Sequence, residues 1–281
     1  MDIRVINEEV IRVENIADFS VKQTLECGQC FRWKKIDKDT YKGIAYEKPL
    51  VLKQIDNNTV EFYTSLEDFN NIWIKYFDLE RNYKSVKDKV KNDQFLVRAT
   101  DYGWGIRILK QDIWETICSF IISQQNNIPK ITKTIENMCR LYGREVNHNG
   151  LLSYTFPSAR DIVEKAETGG LLSLGLGYRA KYVYSAALQI TNGTFKLDGL
   201  NKNRQTALTA LTSLYGVGPK VANCILLFAL GYTNSFPIDV WIQRVIDEVY
   251  DGKFETDGFE DCCGIIQQYM FYYIRFLNNK Q

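Results

Sequence analysis

Histidine is almost absent from this sequence, since the chain of 281 residues contains only His148. That residue lies in the polar run 144–150, which we predict to be a surface loop. A catalytic triad with a histidine base, a histidine-rich metal site and a histidine proton shuttle are therefore nearly excluded.

Cysteine spacing of the kind that builds a disulfide framework or a metal site is also missing. Of the seven cysteines, only Cys27 and Cys30 form a C-x-x-C pair. No second pair and no histidine pair accompanies them, so we expect neither a zinc site nor an iron–sulfur cluster. Without a signal peptide, free thiols are typical of a cytoplasmic protein, associated with the nucleoid if the source is prokaryotic. No apolar run reaches the ~18 residues of a membrane span, so we expect no membrane partner. We also expect the protein to be a monomer.

Neither sign of charge dominates, because 35 Lys and Arg against 34 Asp and Glu give a net charge of +1. Bulk charge alone would not coat nucleic acid, although a local basic groove remains possible. A hydrophobic content of 45% over 281 residues predicts a sizeable core in one body with two sub-domains.

Two hydrophobic periodicities divide the chain. Apolar runs at 31–33, 41–46, 50–52 and 60–63 alternate with turn residues and predict an antiparallel sheet. From residue 66 the spacing is helical. The predicted helices are 66–77, 83–91, 111–124, 128–142, 159–164, 179–191, 204–214, 221–230, 240–250 and 259–277. We therefore predict an α+β fold, in which an antiparallel sheet sub-domain with connecting helices at 1–98 packs on an all-helical domain at 99–281.

The most informative motif lies at 211–224. An apolar helix ends near Leu214, a Gly216-Val217-Gly218 turn follows, and Pro219 opens the next helix, where its missing N–H costs nothing. Such a hairpin directs backbone amides outward from a helix N-terminus, where they can bind phosphate without a charged side chain. An ordinary helical hairpin explains the segment equally well.

Two ionisable residues follow that turn. Lys220 opens the second helix, and Asp239 precedes another helical pattern 19 residues later. The usual interpretations are a solvated lysine and an N-cap. A desolvated lysine could instead attack a sugar carbon or form a Schiff base, and a rigid carboxylate could stabilise positive charge on the sugar ring.

These residues resemble a known family. The sequence of 216–220, with Pro237-Ile238-Asp239, resembles the helix-hairpin-helix, Gly/Pro…Asp superfamily of DNA base-excision glycosylases, in its lysine-bearing, bifunctional branch. Segments 28–33, 119–128 and 174–182 resemble, in the same order, segments of the eukaryotic-type 8-oxoguanine DNA glycosylases. The resemblance implies a helix-hairpin-helix at about 204–230, damaged double-stranded DNA as partner, and excision of 8-oxoguanine followed by strand nicking through a lysine Schiff base.

The resemblance also implies residue roles. Lys220 matches the nucleophile and Asp239 the essential carboxylate. The base-binding positions are Gly28, through its carbonyl, Cys224, Gln267 and Phe271. The DNA-binding positions are Gln125, Asn126, Lys130, Tyr178, Arg179, Gly216, Gly218 and Trp241. No cofactor is required, but the main-chain carbonyls of Thr212, Leu214 and Val217 match ligands of a monovalent cation.

The chain departs from the family pattern at four positions. Trp241 stands where the eukaryotic enzymes have a phosphate-contacting histidine, and Ile274 replaces an acidic residue. Cys30 replaces a serine, and Lys130 occupies a place usually given to an arginine. Two alternatives stay open, a monofunctional alkylpurine glycosylase and a non-catalytic helix-hairpin-helix module.

Overall fold

A computed structural model describes residues 1–148 and 150–278. Its N-terminal region is a six-stranded antiparallel sheet in the order β1-β2-β6-β5-β4-β3. The strands are β1 Asp2–Asn7, β2 Val10–Glu14, β3 Lys34–Asp37, β4 Thr40–Ala45, β5 Lys48–Asp56 and β6 Thr59–Tyr63. Alternate residues such as Ile11 and Val13, or Leu50 and Leu52, are buried on one face. The predicted sheet is confirmed.

The remaining chain is largely helical. Its helices are α1 Val21–Glu26, inserted between β2 and β3, then α2 Leu66–Asp68, α3 Ile74–Tyr76, α4 Tyr83–Asp88, α5 Gln94–Tyr102, α6 Ile113–Ile122, α7 Ile128–Tyr142, α8 Ala159–Asp161, α9 Glu167–Ser173, α10 Arg179–Thr191, α11 Arg204–Thr212, α12 Pro219–Phe228, α13 Val240–Val249 and α14 Cys263–Asn278. π-Helical turns Phe69–Trp73 and Ile162–Ala166 join α2 to α3 and α8 to α9, and a 3-10 turn Glu260–Cys262 precedes α14. No helix in the described residues is both long and apolar enough to cross a bilayer.

The predicted strand at 31–33 is wrong. Phe31 packs with the helical core, whereas Trp33 packs against the sheet core and donates a hydrogen bond from Nε1 to the Tyr76 hydroxyl at 2.9 Å. Because these neighbouring side chains are anchored in two different cores, this segment connects the two regions and does not pair as a strand.

The predicted loop at 144–150 is also wrong. Strands β7 Glu145–His148 and β8 Leu151–Tyr154 pair as an antiparallel hairpin, with Glu145 opposite Tyr154. Three of the four residues of β7 are polar, so the strand lacks the alternation of apolar and polar residues that predicts a strand. Helices α1, α5 and α9 were not predicted, and α9 contains Gly169 and Gly170, which normally weaken a helix.

Two hydrophobic cores lie under these elements. One is formed by the sheet with residues such as Phe69, Trp73 and Phe77, and the other fills the helical region. Helix α5 crosses the domain boundary proposed at residue 98 and packs on α14. That boundary stays a prediction.

A buried glutamine fixes the turn after α1. Gln29 is fully buried, and its Nε2 donates to the carbonyl oxygens of Thr24 at 2.9 Å and Arg107 at 2.8 Å. Its Oε1 accepts from the Leu109 N–H at 2.9 Å. The side chain therefore substitutes for a strand partner and ties the turn that contains Gly28 to the segment leading into α6.

Replacing Gln29 by leucine should lower the free energy of unfolding by about 3 kcal/mol, because three buried backbone groups each lose a hydrogen bond. Chemical denaturation measures this change. Gln205→Leu, at an exposed position of α11, is the matched control and should stay within about 0.5 kcal/mol of the parent. A loss at Gln29 as small as the control's would show that these bonds do not hold the turn.

Candidate active site

The predicted hairpin is confirmed. Helix α11 ends at Thr212, Gly218 is the N-cap of α12, and Pro219 occupies the first turn of that helix. Gly216 has φ +84°, and a Cβ there would approach the Tyr182 ring to 2.3 Å. Glycine is therefore required at this turn both by its backbone conformation and by its close contact with α10.

One pocket brings together all the residues predicted for catalysis and base binding. Its lining contains Lys220, Asp239, Gly28, Cys224, Gln267 and Phe271, together with Phe120, Phe228, Pro237 and Gln268. These residues come from α6, α12, α14, the start of α13 and the turn after α1. Gly28 and Phe271, which are 243 positions apart in sequence, therefore meet at one place.

Lys220 is half-buried at this pocket, with its Nζ 5.5 Å from the centroid of the Phe120 ring. Phe120 in turn stacks on Phe228 at 5.4 Å between centroids. The lysine is thus held over an aromatic wall, which differs from the interpretation as an ordinary surface lysine.

Cys224 lies one turn after Lys220 and is 3% exposed. Burial raises the pKa of the Cys224 thiol to about 11, while the nearby Lys220 ammonium opposes the shift. The thiol is therefore protonated at neutral pH and offers an apolar, polarisable surface without competing as a nucleophile.

Asp239 is the N-cap of α13, as predicted. Its Oδ1 accepts hydrogen bonds from the N–H groups of Trp241 at 3.0 Å and Ile242 at 2.9 Å. Because one oxygen satisfies both amides, the carboxylate is held in a fixed orientation at the edge of the pocket. Trp241 is half-buried and lies outside the pocket lining.

Gln267 has an unsatisfied acceptor. It is 4% exposed, and its Oε1 is one of two buried side-chain N or O atoms in the described residues without a hydrogen-bond partner. The neighbouring Gln268 is satisfied, since its Nε2 donates to the Cys27 carbonyl at 2.9 Å. An unpaired acceptor of this kind costs about 1–3 kcal/mol, which a ligand carrying an N–H donor would relieve.

Gly28 stands opposite these glutamines with φ +90°. A Cβ at this position would lie 3.1 Å from Phe271 Cε1 and 3.3 Å from Arg275 Nη1. Both the backbone conformation and the crowding therefore favour glycine, and they leave its backbone at the pocket wall.

The predicted DNA-contacting residues are not among those that line the pocket. Gln125 is exposed with φ +46°, and Tyr178 is 46% exposed. Asn126 donates from Nδ2 to the Ile122 carbonyl at 3.1 Å, and Lys130 is exposed near the N-terminus of α7. Gln125, Lys130 and Tyr178 are thus accessible to solvent, as a DNA contact requires.

Arg179, a predicted DNA-binding residue, is largely buried. It is 8% exposed, stacks on the Tyr178 ring at 4.6 Å, and donates to the main-chain carbonyls of Gln124 and Gln125. Gln124 completes the network by donating from Nε2 to the Gly216 carbonyl at 2.9 Å. The polar loop, α10 and the hairpin are therefore joined at one point.

Sequence reasoning missed three residues that shape the site. Phe120 has the appearance of a core residue of α6, and Gln29 and Gln268 are polar residues whose burial no local pattern indicates. Their partners lie far away in sequence, so only the folded chain shows their roles. No group of three or more metal-binding side chains occurs within the described residues.

Two family models together match most of the chain. A model of the "8-oxoguanine DNA glycosylase, N-terminal domain" matches residues 11–117, and one of the "HhH-GPD superfamily base excision DNA repair protein" matches residues 118–257. An N-glycosylase/DNA lyase of Saccharomyces cerevisiae is 31% identical over 84% of this chain and 69% of its own length. The chain belongs to the 8-oxoguanine DNA glycosylase family.

Two solved structures of the family extend the match over almost the whole chain. MBOgg1, in complex with a low-affinity DNA ligand, has a TM-score of 0.92 at 37% identity and 99% coverage of each chain. The 8-oxoguanine glycosylase/lyase of Clostridium acetobutylicum, with double-stranded DNA containing cytosine opposite 8-oxoguanine, has a TM-score of 0.91 at 34% identity, covering 99% of this chain and 100% of its own. The predicted α+β fold and family are confirmed.

Proposed function

We propose that this protein is a bifunctional DNA glycosylase/AP lyase that excises 8-oxoguanine from duplex DNA and then nicks the strand. The observation that carries the proposal is the unpaired, buried Oε1 of Gln267 in the same pocket as Lys220 and Asp239. A binding module needs no such set of groups. The names of the family relatives, N-glycosylase/DNA lyase and 8-oxoguanine glycosylase/lyase, support the same activity.

Base recognition uses both walls of the pocket. The Watson–Crick edge of a guanine carries N–H donors, which match the free acceptor of Gln267. The Gly28 carbonyl would accept from N7–H of the oxidised base, whereas unmodified guanine presents an acceptor at N7 and would be repelled. Phe271 and Cys224 would hold the two faces of the flipped base.

Lys220 and Asp239 would carry the chemistry. Nζ gives up a proton and attacks C1′, so that a C–N bond forms while the bond from C1′ to the base breaks, and the base leaves with the electron pair and takes up a proton. The Asp239 carboxylate stabilises the positive charge that develops on the sugar. Opening of the sugar ring leaves an imine, and loss of a proton from C2′ then expels the 3′ phosphate and cuts the strand.

The hairpin and the polar loop would hold the duplex. The N-terminus of α12 begins at Gly218, next to Gly216, and presents amides to a phosphate without a charged side chain. Gln125, Asn126 and Tyr178 would fill the gap left by the flipped base. Arg179 would act here by ordering the loop.

A monovalent cation at the hairpin is a further part of the proposal. The Leu214 carbonyl accepts a hydrogen bond from the Val217 N–H at 3.0 Å, so two of the three proposed ligands share one turn just after Thr212. Carbonyl oxygens are suitable ligands for such an ion. A bound cation would supply positive charge next to a DNA phosphate.

The monomeric state and the cytoplasmic, or nucleoid-associated, location expected from the sequence are also proposed. Seven free and buried cysteines are typical of a protein kept in a reducing compartment.

Lys220→Gln should abolish base release and covalent trapping by borohydride on a duplex with one 8-oxoguanine, because an amide has no nucleophilic lone pair. Binding of the damaged duplex should persist. Lys253→Gln, at an exposed position, is the control and should trap like the parent. Trapping by Lys220→Gln would exclude it as the nucleophile, and base release by the parent without trapping would favour the monofunctional alternative.

Asp239→Asn separates the N-cap from the chemistry. Asparagine caps a helix about as well as aspartate, so the thermal midpoint should hardly change. Base excision in single-turnover assays should nevertheless slow about 10²- to 10³-fold, because the stabilising charge is lost. Excision at the parent rate would show that Asp239 is only a cap.

Gln267→Ala should weaken binding of an 8-oxoguanine duplex by roughly 1–3 kcal/mol, because the base edge loses its partner. Binding of a duplex with an abasic site, which has no base to recognise, serves as the internal control and should be unchanged. Equal losses on both duplexes would mean that the substitution disturbs the fold and not base recognition.

A further inference from the structure

Arg275 continues the stripe of α14 that contains Gln267 and Phe271. It follows Gln267 and Phe271 at successive steps of four residues, so the three side chains lie above one another on one helix face. The guanidinium carbon of Arg275 lies 5.2 Å from the centroid of the Phe271 ring. The arginine therefore stacks on the aromatic side chain proposed to hold the flipped base.

Arg275 also lies close to Gly28. Its Nη1 lies 3.3 Å from the position that a Cβ on Gly28 would take, and Phe271 Cε1 lies 3.1 Å from the same point. The guanidinium, the ring and the glycine backbone thus pack together at the rim of the pocket. Any shift of the ring toward or away from Gly28 changes its contact with Arg275.

Among the described residues, the charge of Arg275 has no carboxylate partner. In the part of the chain that the structure describes, no hydrogen bond or ion pair is found for this half-buried side chain, whereas Arg32 pairs with Glu115 at 3.4 Å. The face of an aromatic ring attracts a cation, and partial burial strengthens that attraction. The Phe271 ring is therefore the group that holds Arg275 in place, and Arg275 in turn holds the ring.

The Phe271 ring borders the pocket on the side of Gly28. Its position therefore sets the width of the pocket between α14 and the turn that contains Gly28. Because Phe271 is only half-buried, fewer neighbours hold its ring than hold a fully buried one, and the contact with Arg275 has a larger share in fixing where the ring stands.

We propose that Arg275 is a positioning residue that determines where the Phe271 ring stands and so how tightly the pocket grips an oxidised base. The inference rests on the proposed function for its substrate. The cation keeps the ring close to the Gly28 backbone, and a base that enters is held between a ring already oriented by the guanidinium and the opposite wall.

A double-mutant cycle tests this coupling. Single-turnover excision on a duplex with one 8-oxoguanine is measured for the parent, Arg275→Ala, Phe271→Ala and the double variant, as the maximal rate and the half-saturating enzyme concentration. Arg275→Ala should raise the half-saturating concentration about 3- to 10-fold, the range expected for loss of a partly buried cation–π contact. In the Phe271→Ala background it should have no further effect.

Two further variants separate charge from packing. Arg275→Met keeps a long side chain without the charge and should raise the half-saturating concentration as much as Arg275→Ala does. Arg275→Lys keeps the charge and should raise it less. Arg98→Ala, at an exposed position of α5, removes the same charge without a ring contact and should leave both constants unchanged.

Three outcomes would overturn the proposal. Additive effects of the two substitutions in the double variant would show that Arg275 acts independently of Phe271. If Arg275→Ala lowers the salt dependence of binding to undamaged duplex by about one phosphate contact, Arg275 is a DNA contact. Parent-like behaviour of Arg275→Met would show that charge is irrelevant. If the parent itself releases no 8-oxoguanine, the proposed function fails, and the same cycle measured by thermal unfolding still tests the coupling of the two side chains.

Discussion

The site depends on holding one backbone turn, residues 27–29, against the last helix. Gln268 binds the Cys27 carbonyl from α14, and Gln29 binds three backbone groups on the other side of the turn. Gly28 lies between these two anchors with its backbone at the pocket. The proposed role of the Gly28 carbonyl, to distinguish one hydrogen on a base, needs this rigidity, because hydrogen bonding depends on the distance and angle between donor and acceptor.

Electrostatics explain how a chain with a net charge of +1 can belong to a family of DNA enzymes. Most arginines in the described residues are paired with carboxylates or, like Arg179, with main-chain carbonyls. Backbone amides at the hairpin then supply local positive potential where a phosphate is expected, without raising the charge of the whole surface. Such a surface favours binding of DNA at one position over non-specific electrostatic binding along the whole protein surface.

The sequence predicted the parts of the site that have local signatures. The glycine turn and Pro219 mark the hairpin, Asp239 marks a helix start, and the resemblance places Gln267 and Phe271 one turn apart. The segment at 31–33 was mispredicted because its apolar residues serve two cores. The β7–β8 hairpin was missed because its first strand is polar. Contacts such as that between Arg275 and Gly28 join opposite ends of the chain, and periodicity carries no information about them.

The loop that joins α6 to α7 is ordered before any duplex arrives. Arg179 donates hydrogen bonds to two of its carbonyl groups, and Gln124 donates one to the Gly216 carbonyl of the hairpin. Gln125 has a left-handed backbone conformation, which a free chain rarely adopts. The conformational entropy of this segment is therefore lost during folding and not at each encounter with DNA. A brief, reversible contact with an undamaged site then costs no further ordering of this loop.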